Sequence, residues 1–144
     1  YHYGLTERQL RRVVAQAKRQ PGATGARIVE LLERRLDNLV FRAGFAPTIP
    51  AARQLVNHGH VAVNGRRATI PSMRLAAGDA FGPDEKAQPR VRESLADPAL
   101  ERPEWIVLDA NAFEARLAHL PEGGDSAPFP LDLQRVVEYY AKRL

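Results

Sequence analysis

The stretch from 53 to 65 reads Arg53-Gln54-Leu55-Val56-Asn57-His58-Gly59-His60-Val61-Ala62-Val63-Asn64-Gly65. It gathers side chains that donate hydrogen bonds to anionic oxygens. The planar guanidinium fork of Arg53 matches phosphate bidentately. The amides of Gln54, Asn57 and Asn64 and the imidazoles of His58 and His60 are smaller donors beside it. Basic residues extend the stretch in both directions, through Arg34, Arg35 and Arg42 before it and Arg66, Arg67 and Arg74 after it. An isolated run of arginines is ordinarily a solvated helix face. Here the charge continues through a helix pair and a hairpin, which favours a binding surface for a polyanion, and structured RNA suits it best. Together with Arg8, Arg11 and Arg12 near the start of the chain, the candidate RNA contacts are Arg8, Arg11, Arg12, Arg35, Arg42, Arg53, Gln54, Asn57, His58, His60, Asn64, Arg66, Arg67 and Arg74.

Other chemistries fit less well. His58 and His60 share a face of an extended segment, but a zinc site needs three or four ligands. With no cysteine and no nearby carboxylate, no metal is assigned. Arg35-Leu36-Asp37 is a triplet that also carries the catalytic aspartate of pseudouridine synthases. That chemistry needs a large sheet domain, for which this chain lacks the length. Asp37 is therefore read as structural, pairing with arginine or touching a helix end so as to orient the basic face. Gly22-Ala23-Thr24-Gly25 lacks the lysine of a phosphate-binding loop. No Ser/His/Asp or paired-carboxylate grouping stands out, so the sequence reads as a non-enzyme without a cofactor. Trp105 and Tyr139-Tyr140 are expected to pack rather than to stack on bases.

The 144 residues suffice for one domain or two small ones. Net charge is +4, but residues 1–82 carry 13 Lys or Arg against 5 Asp or Glu, and residues 83–144 carry 8 against 12. A basic front half points to a polyanion partner more specifically than uniform basicity does. Of the 21 basic residues 18 are arginine, a composition suited to phosphate. No apolar run approaches the roughly 20 residues of a membrane span, so no membrane partner is expected. The chain begins with Tyr1 rather than Met, and an upstream segment is expected.

Periodicity supplies the elements that must position these groups, and they make an α+β fold. A first helix is predicted over residues 5–20, with Thr6 as N-cap, Gln9 in the capping-box position, and Leu10, Val13, Val14 and Ala17 as its stripe. Thr24 caps a second, with Ile28, Leu31, Leu32 and Leu36 inward, which continues or restarts through residues 37–42 until Gly44 closes it. After the loop 46–50, a helix over 51–57 with Thr48 or Ile49 as N-cap turns Ala52, Leu55 and Val56 inward. Strands follow over 60–63, 67–70 and 80–81, the first two joined by Asn64-Gly65, a strong hairpin signal in which Gly65 supplies a positive φ. Residues 83–103 read as a loop with a short helix at 90–95. Strands over 105–108 and 113–120 and a helix over 133–142 complete the pattern.

These blocks resemble ribosomal protein S-four of the small subunit. The resemblance rests on Tyr3-Gly4-Leu5-Thr6-Glu7-Arg8-Gln9-Leu10, Leu32-Glu33-Arg34-Arg35-Leu36-Asp37-Asn38, Phe41-Arg42-Ala43-Gly44-Phe45-Ala46, Ala52-Arg53-Gln54-Leu55-Val56-Asn57-His58-Gly59-His60, Val63-Asn64-Gly65, Ile70-Pro71-Ser72 and Val136-Val137-Glu138-Tyr139-Tyr140. Thr48-Ile49-Pro50 with Asn57-His58 is similar to cyanobacterial and plastid members. Where many members carry arginine this chain has Ile49, which shifts the expected burden to Arg53 and Arg42. Residues 83–103 are more acidic than the family's usual stretch, so no contacts are carried over there, and the family's N-terminal arm is absent from the sequence. The resemblance implies a helical subdomain of residues 1–33 completed by 132–144, and an S-four-type RNA-binding subdomain, 34–131, with a helix pair on a small antiparallel sheet. It further implies binding to a helical junction in the five-prime domain of small-subunit rRNA, nucleation of body assembly, and a part in decoding accuracy. The implied neighbours are other small-subunit proteins, notably S-five, with mRNA near the point where it enters the ribosome left open as a further partner. The implied location is the cytoplasmic ribosome of a bacterium or the ribosome of a plastid stroma. The alternatives are an accessory S-four-type module of an RNA-modifying or tRNA-related enzyme, and a protein-interaction adaptor.

Overall fold

The computed structural model describes residues 5–18 and 24–121, which fall into two compact units. The predicted helix over 133–142 lies outside the described residues. In one unit, α1 (Glu7–Lys18) packs against α2 (Thr24–Glu33). A reciprocal capping box starts α1: the Thr6 N–H donates to Gln9 Oε1 at 3.0 Å and the Gln9 N–H donates to Thr6 Oγ1 at 3.2 Å. Leu10, Val13 and Val14 are buried on α1 and Ile28, Val29, Leu31 and Leu32 on α2, while Arg8, Arg11 and Arg12 are exposed.

The other unit, residues 34–120, holds α3 (Leu36–Arg42), α4 (Ile49–Asn57), α5 (Gln88–Ala96) and a five-stranded antiparallel sheet. Its strands are β1 (Val61–Val63), β2 (Arg66–Ala68), β3 (Ala80–Pro83), β4 (Ile106–Asp109) and β5 (Glu114–Leu117), in the spatial order β2-β1-β3-β5-β4. Leu36, Leu39, Val40, Phe45, Ala52, Val56, Leu75, Phe81, Trp105, Ala115 and Leu117 belong to one core between helices and sheet. Phe45 and Phe81 meet edge to face at 5.9 Å. The β5 pattern is alternating, Ala115 and Leu117 inward and Glu114 and Arg116 outward, as the sequence period requires.

Several boundaries differ from the sequence reading, which left open whether the second helix continues or restarts through 37–42. The helical pattern through 24–42 restarts rather than continues. Arg35 is extended (φ −62°, ψ 140°), and its backbone bridges to Arg74. The Leu36 and Asp37 N–H groups, which a continuous helix would use internally, donate instead to the carbonyls of Met73 (2.7 Å) and Pro71 (3.1 Å). The helix expected over 51–57 starts at Ile49, because Thr48 Oγ1 accepts the Ala51 N–H at 3.1 Å and Pro50 is tolerated in the first turn. The last strand stops at Leu117, short of 120, and the helix expected over 90–95 spans Gln88–Ala96.

The two-residue turn closes as expected for its type, with φ of 52° at Asn64 and 82° at Gly65 and with Val63 paired to Arg66. The Asn64 side chain also ties this turn to β3. Its Nδ2 donates to Asp79 Oδ1 (3.0 Å) and its Oδ1 accepts the Ala80 N–H (2.9 Å). The second oxygen of Asp79 accepts the Ala76 N–H at 2.7 Å. The Ala76 N–H and then the Asn64 amide hold the Asp79 carboxyl below its usual range, outweighing a small burial effect. A depressed folded value means the stabilisation is full above the unfolded value near pH 4 and is lost as pH falls through the folded one. Asp79→Asn should therefore lower stability at pH 7 and flatten its decline below about pH 4, as read by urea unfolding at both pH values.

Gly82 in β3 has Phe113 against it, and a Cβ there would sit inside the van der Waals radius of the Phe113 carbonyl oxygen. Phe113 itself stands at φ 51°, where it cannot easily yield. Gly82→Ala should cost about 2–3 kcal/mol, by urea unfolding, through forced separation of β3 from the turn before β5.

Candidate nucleic-acid interface

Asp37 is the fixed point of the α3–α4 pair. Its side chain is 1 % exposed and meets two arginines. Arg35 donates through Nε to Oδ1 and through a terminal nitrogen to Oδ2, both at 3.1 Å, a bidentate fork. Arg53 reaches across from α4, its Nε 3.2 Å from Oδ2. Asp37 also accepts the Asn38 N–H at 2.7 Å, and its charge stands in the first turn of α3, where the helix dipole favours it. One carboxylate thus locks the two helices and aims Arg53, whose side chain remains 30 % exposed.

Both helices end on a glycine of positive φ. At the close of α4 the Gly59 N–H donates to the Val56 carbonyl and the His60 N–H to the Leu55 carbonyl, each at 3.0 Å, with Gly59 at φ 77°. This is a Schellman closure, and it turns the chain sharply into β1. Gly44 (φ 92°) ends α3 in the same way, with Phe45 donating to Val40. The bare face of Gly59 also receives Arg67, whose Cδ would be 3.3 Å from an added Cβ. The Arg67 stem lies across the helix end while the residue stays exposed. The hairpin is thereby joined to α4, and Gln54, Asn57, His58, Arg66 and Arg67 are all exposed on these two elements.

The structure separates the predicted contacts into those offered to solvent and those used within the fold. Arg35 and Arg42, expected on an open face, are 7 % and 6 % exposed. Asp37 draws Arg35 inward, and the Arg42 guanidinium lies 5.9 Å from the centre of the Trp105 ring. Asn64 spends its amide on Asp79 and Ala80. His60 Nδ1 lies 3.0 Å from Asp84 Oδ2, and the Asp84 N–H donates to the His60 carbonyl. Burial works against the Asp84 carboxylate, yet His60, the Ala87 N–H and the charge of Arg67 together hold its pKa below the usual range. Arg74 is half-buried. Arg8, Arg11 and Arg12 are exposed on α1, in the other unit.

The sequence reading left Arg34 out of the candidate contacts and gave the segment 70–76 no structural role. Arg34 Nε donates to the Leu75 carbonyl at 2.9 Å, and the Leu75 N–H returns a bond to the Arg34 carbonyl. This segment has no regular pattern of its own. Its signal was Ile70-Pro71-Ser72, whose pairing partner lies too far along the chain for periodicity to show. Among the described residues, no group of His, Asp or Glu has the makings of a metal site. No described helix is long and apolar enough to cross a membrane.

A family model described as the S4 domain matches residues 34–81, which contain α3, α4, the hairpin and the 70–76 brace. The whole chain is 53 % identical, over 146 aligned positions, to 71 % of the small ribosomal subunit protein uS4 of Methylobacillus flagellatus. It is 50 % identical to 71 % of the protein uS4B of Nitrosomonas europaea, again over the whole chain. A cyanobacterial relative, uS4 of Cyanothece, is 46 % identical over all of this chain and 72 % of its own length.

Proposed function

This chain belongs to the uS4 family of small ribosomal subunit proteins, and from that premise we propose that it is a primary binder of small-subunit rRNA at a helical junction of the five-prime domain. As a family member it is an RNA-binding structural constituent of the small subunit, in ribosomes of bacterial type. The observation that carries the finer reading is the exposed donor face of Gln54, Asn57, His58, Arg66 and Arg67, beside Arg53 on a frame pinned by Asp37. Duplex RNA hides its base edges in a deep, narrow groove, so a rigid set of donors reads backbone geometry and 2′-hydroxyls. Donors on a helix end and on a hairpin, held at a fixed mutual angle, suit two backbones meeting at a junction better than one straight duplex. The protein performs no turnover. It holds the junction angle, which is the physical content of nucleating body assembly.

The reading divides the chain into an RNA-binding module, 34–131, and a helical part, 1–33 with 132–144, whose Arg8, Arg11 and Arg12 supply further phosphate contacts. Family membership supports S-five as a neighbour, contact with mRNA where it enters the ribosome, and an influence on accuracy. The test is equilibrium binding to a transcript of the five-prime junction and to a straight duplex of equal length, across a salt series. Tighter junction binding that weakens steeply with salt is expected. Equal affinity for the two RNAs would remove the junction, leaving a general RNA-binding surface.

A further inference from the structure

The turn Ile70-Pro71-Ser72-Met73 presents apolar side chains beside the basic hairpin. Ile70 is 62 % exposed and Met73 39 %, and they are two of the four large apolar side chains left exposed among the described residues. The Met73 N–H donates to the Ile70 carbonyl at 3.1 Å, which closes a four-residue turn and brings its first and last residues together. Pro71 stiffens the turn at its second position. The start of α3 holds it as well, because the Leu36 N–H donates to the Met73 carbonyl and the Asp37 N–H to the Pro71 carbonyl. The apolar pair is therefore fixed on the fold. Buried Val63 and Ala68 of the hairpin line the same groove, and so do the exposed Arg66 and Arg67. The groove encloses about 510 Å³, a size that suits one small group. Among the described residues, no carboxylate lines it.

We propose that this groove holds one unpaired nucleotide of the bound RNA, its base against Ile70 and Met73 and its phosphate against Arg66 or Arg67. The proposal rests on the RNA-binding reading above and adds what that reading leaves open: the RNA must offer a base free of its stack. A duplex gives an apolar side chain little to cover, because each base face lies against its neighbours. An unstacked base exposes a flat face, and covering it removes apolar surface from water on both sides. The Met73 thioether is polarizable and makes favourable contacts with ring systems. One nucleotide joins such a face to an anion, the two chemistries that the groove sets side by side. An apolar segment of a protein would match Ile70 and Met73 but not the adjoining arginines.

Met73 is the only methionine of the chain, so isotope labelling of the methionine methyl gives the full chain one reporter resonance by NMR, assigned with Met73→Leu. A base stacked over that methyl moves the resonance upfield through its ring current. The five-prime junction transcript should shift it upfield, and so should a single-stranded hexaadenylate at low salt. A straight duplex should leave it in place. Ile70→Ser removes the apolar contact at a turn position that favours serine, so unfolding in urea, followed by Trp105 fluorescence, should stay close to the parent's. Ile70→Ser should weaken binding to the transcript about tenfold, the scale of one partly buried side chain. Its salt slope should not change, because no charge is removed. Ile70→Leu should keep most of the parent's affinity. An unmoved Met73 resonance in the bound transcript, or Ile70→Ser binding as tightly as the parent, overturns the nucleotide subsite while leaving RNA binding intact. Failure of the parent chain to bind the transcript overturns the proposed rRNA reading instead, and the hexaadenylate shift then decides the subsite.

Discussion

Asp37→Ala should destabilise the 34–120 unit by about 3–5 kcal/mol, as much as truncating a large core side chain. An exposed ion pair is worth only about 0–1 kcal/mol, so the magnitude turns on burial. Asp37 is 1 % exposed at its side chain and Arg35 is 9 %. Removing the carboxylate leaves the Arg35 guanidinium buried without its bidentate partner, and takes from Arg53 the contact that fixes it across the helix pair. Asp37→Asn keeps the shape and one acceptor oxygen but removes the charge, so it should lie between the parent and alanine. Trp105 is the single tryptophan, is buried in this unit, and reports its unfolding in urea. A loss below about 1 kcal/mol for Asp37→Ala would mean that Arg35 finds solvent in the variant and that the cluster is not the lock described above.

The second large effect concerns recognition and should leave the fold intact. Arg66→Gln combined with Arg67→Gln should weaken binding to the five-prime junction transcript about a hundredfold, at about 1.4 kcal/mol per contact, and reduce the salt slope by about 2. Both residues are exposed on β2, beyond a turn fixed by Asn64 and Gly65. Glutamine keeps carbons at the γ and δ positions that lie across Gly59, the δ carbon as its amide, so the urea midpoint should change little. The informative contrast is with Asn64→Ala. That residue also lies at the hairpin, but its amide is committed to Asp79 and Ala80. Its loss should appear first in stability, and in the salt slope hardly at all. If the double variant keeps the parent's salt slope, the hairpin is not in phosphate contact.

Much of the fold could be read from local rules, because those rules describe interactions between residues close in the chain. Thr6 with Gln9, Thr48 before Pro50, Gly44 and Gly59 after helices, and Asn64-Gly65 between strands each act over a few residues, and each stands in the structure in that role. The restart at Leu36 was ambiguous for the opposite reason. Its apolar spacing suits a continuous helix, and what interrupts it is pairing with residues 71–75. Helix propensity carries no information about that distant partner.

By itself the sequence determined the α+β class, the helix and strand order of the described residues, the family, and the basic stretch on which recognition is expected. Only the tertiary structure decided which of those polar groups are already engaged within the fold. Arg35, Arg42, Asn64 and His60 look as available in the sequence as Arg66, Arg67 and Asn57 do, and the fold commits the first group to Asp37, Trp105, Asp79 and Asp84. The reason is that a charged side chain goes to the strongest partner within reach, and reach is set by folding. Arg53 meets Asp37 across 16 positions and Arg34 meets Leu75 across 41. Pairings of that range decide what remains on the surface for a phosphate to find.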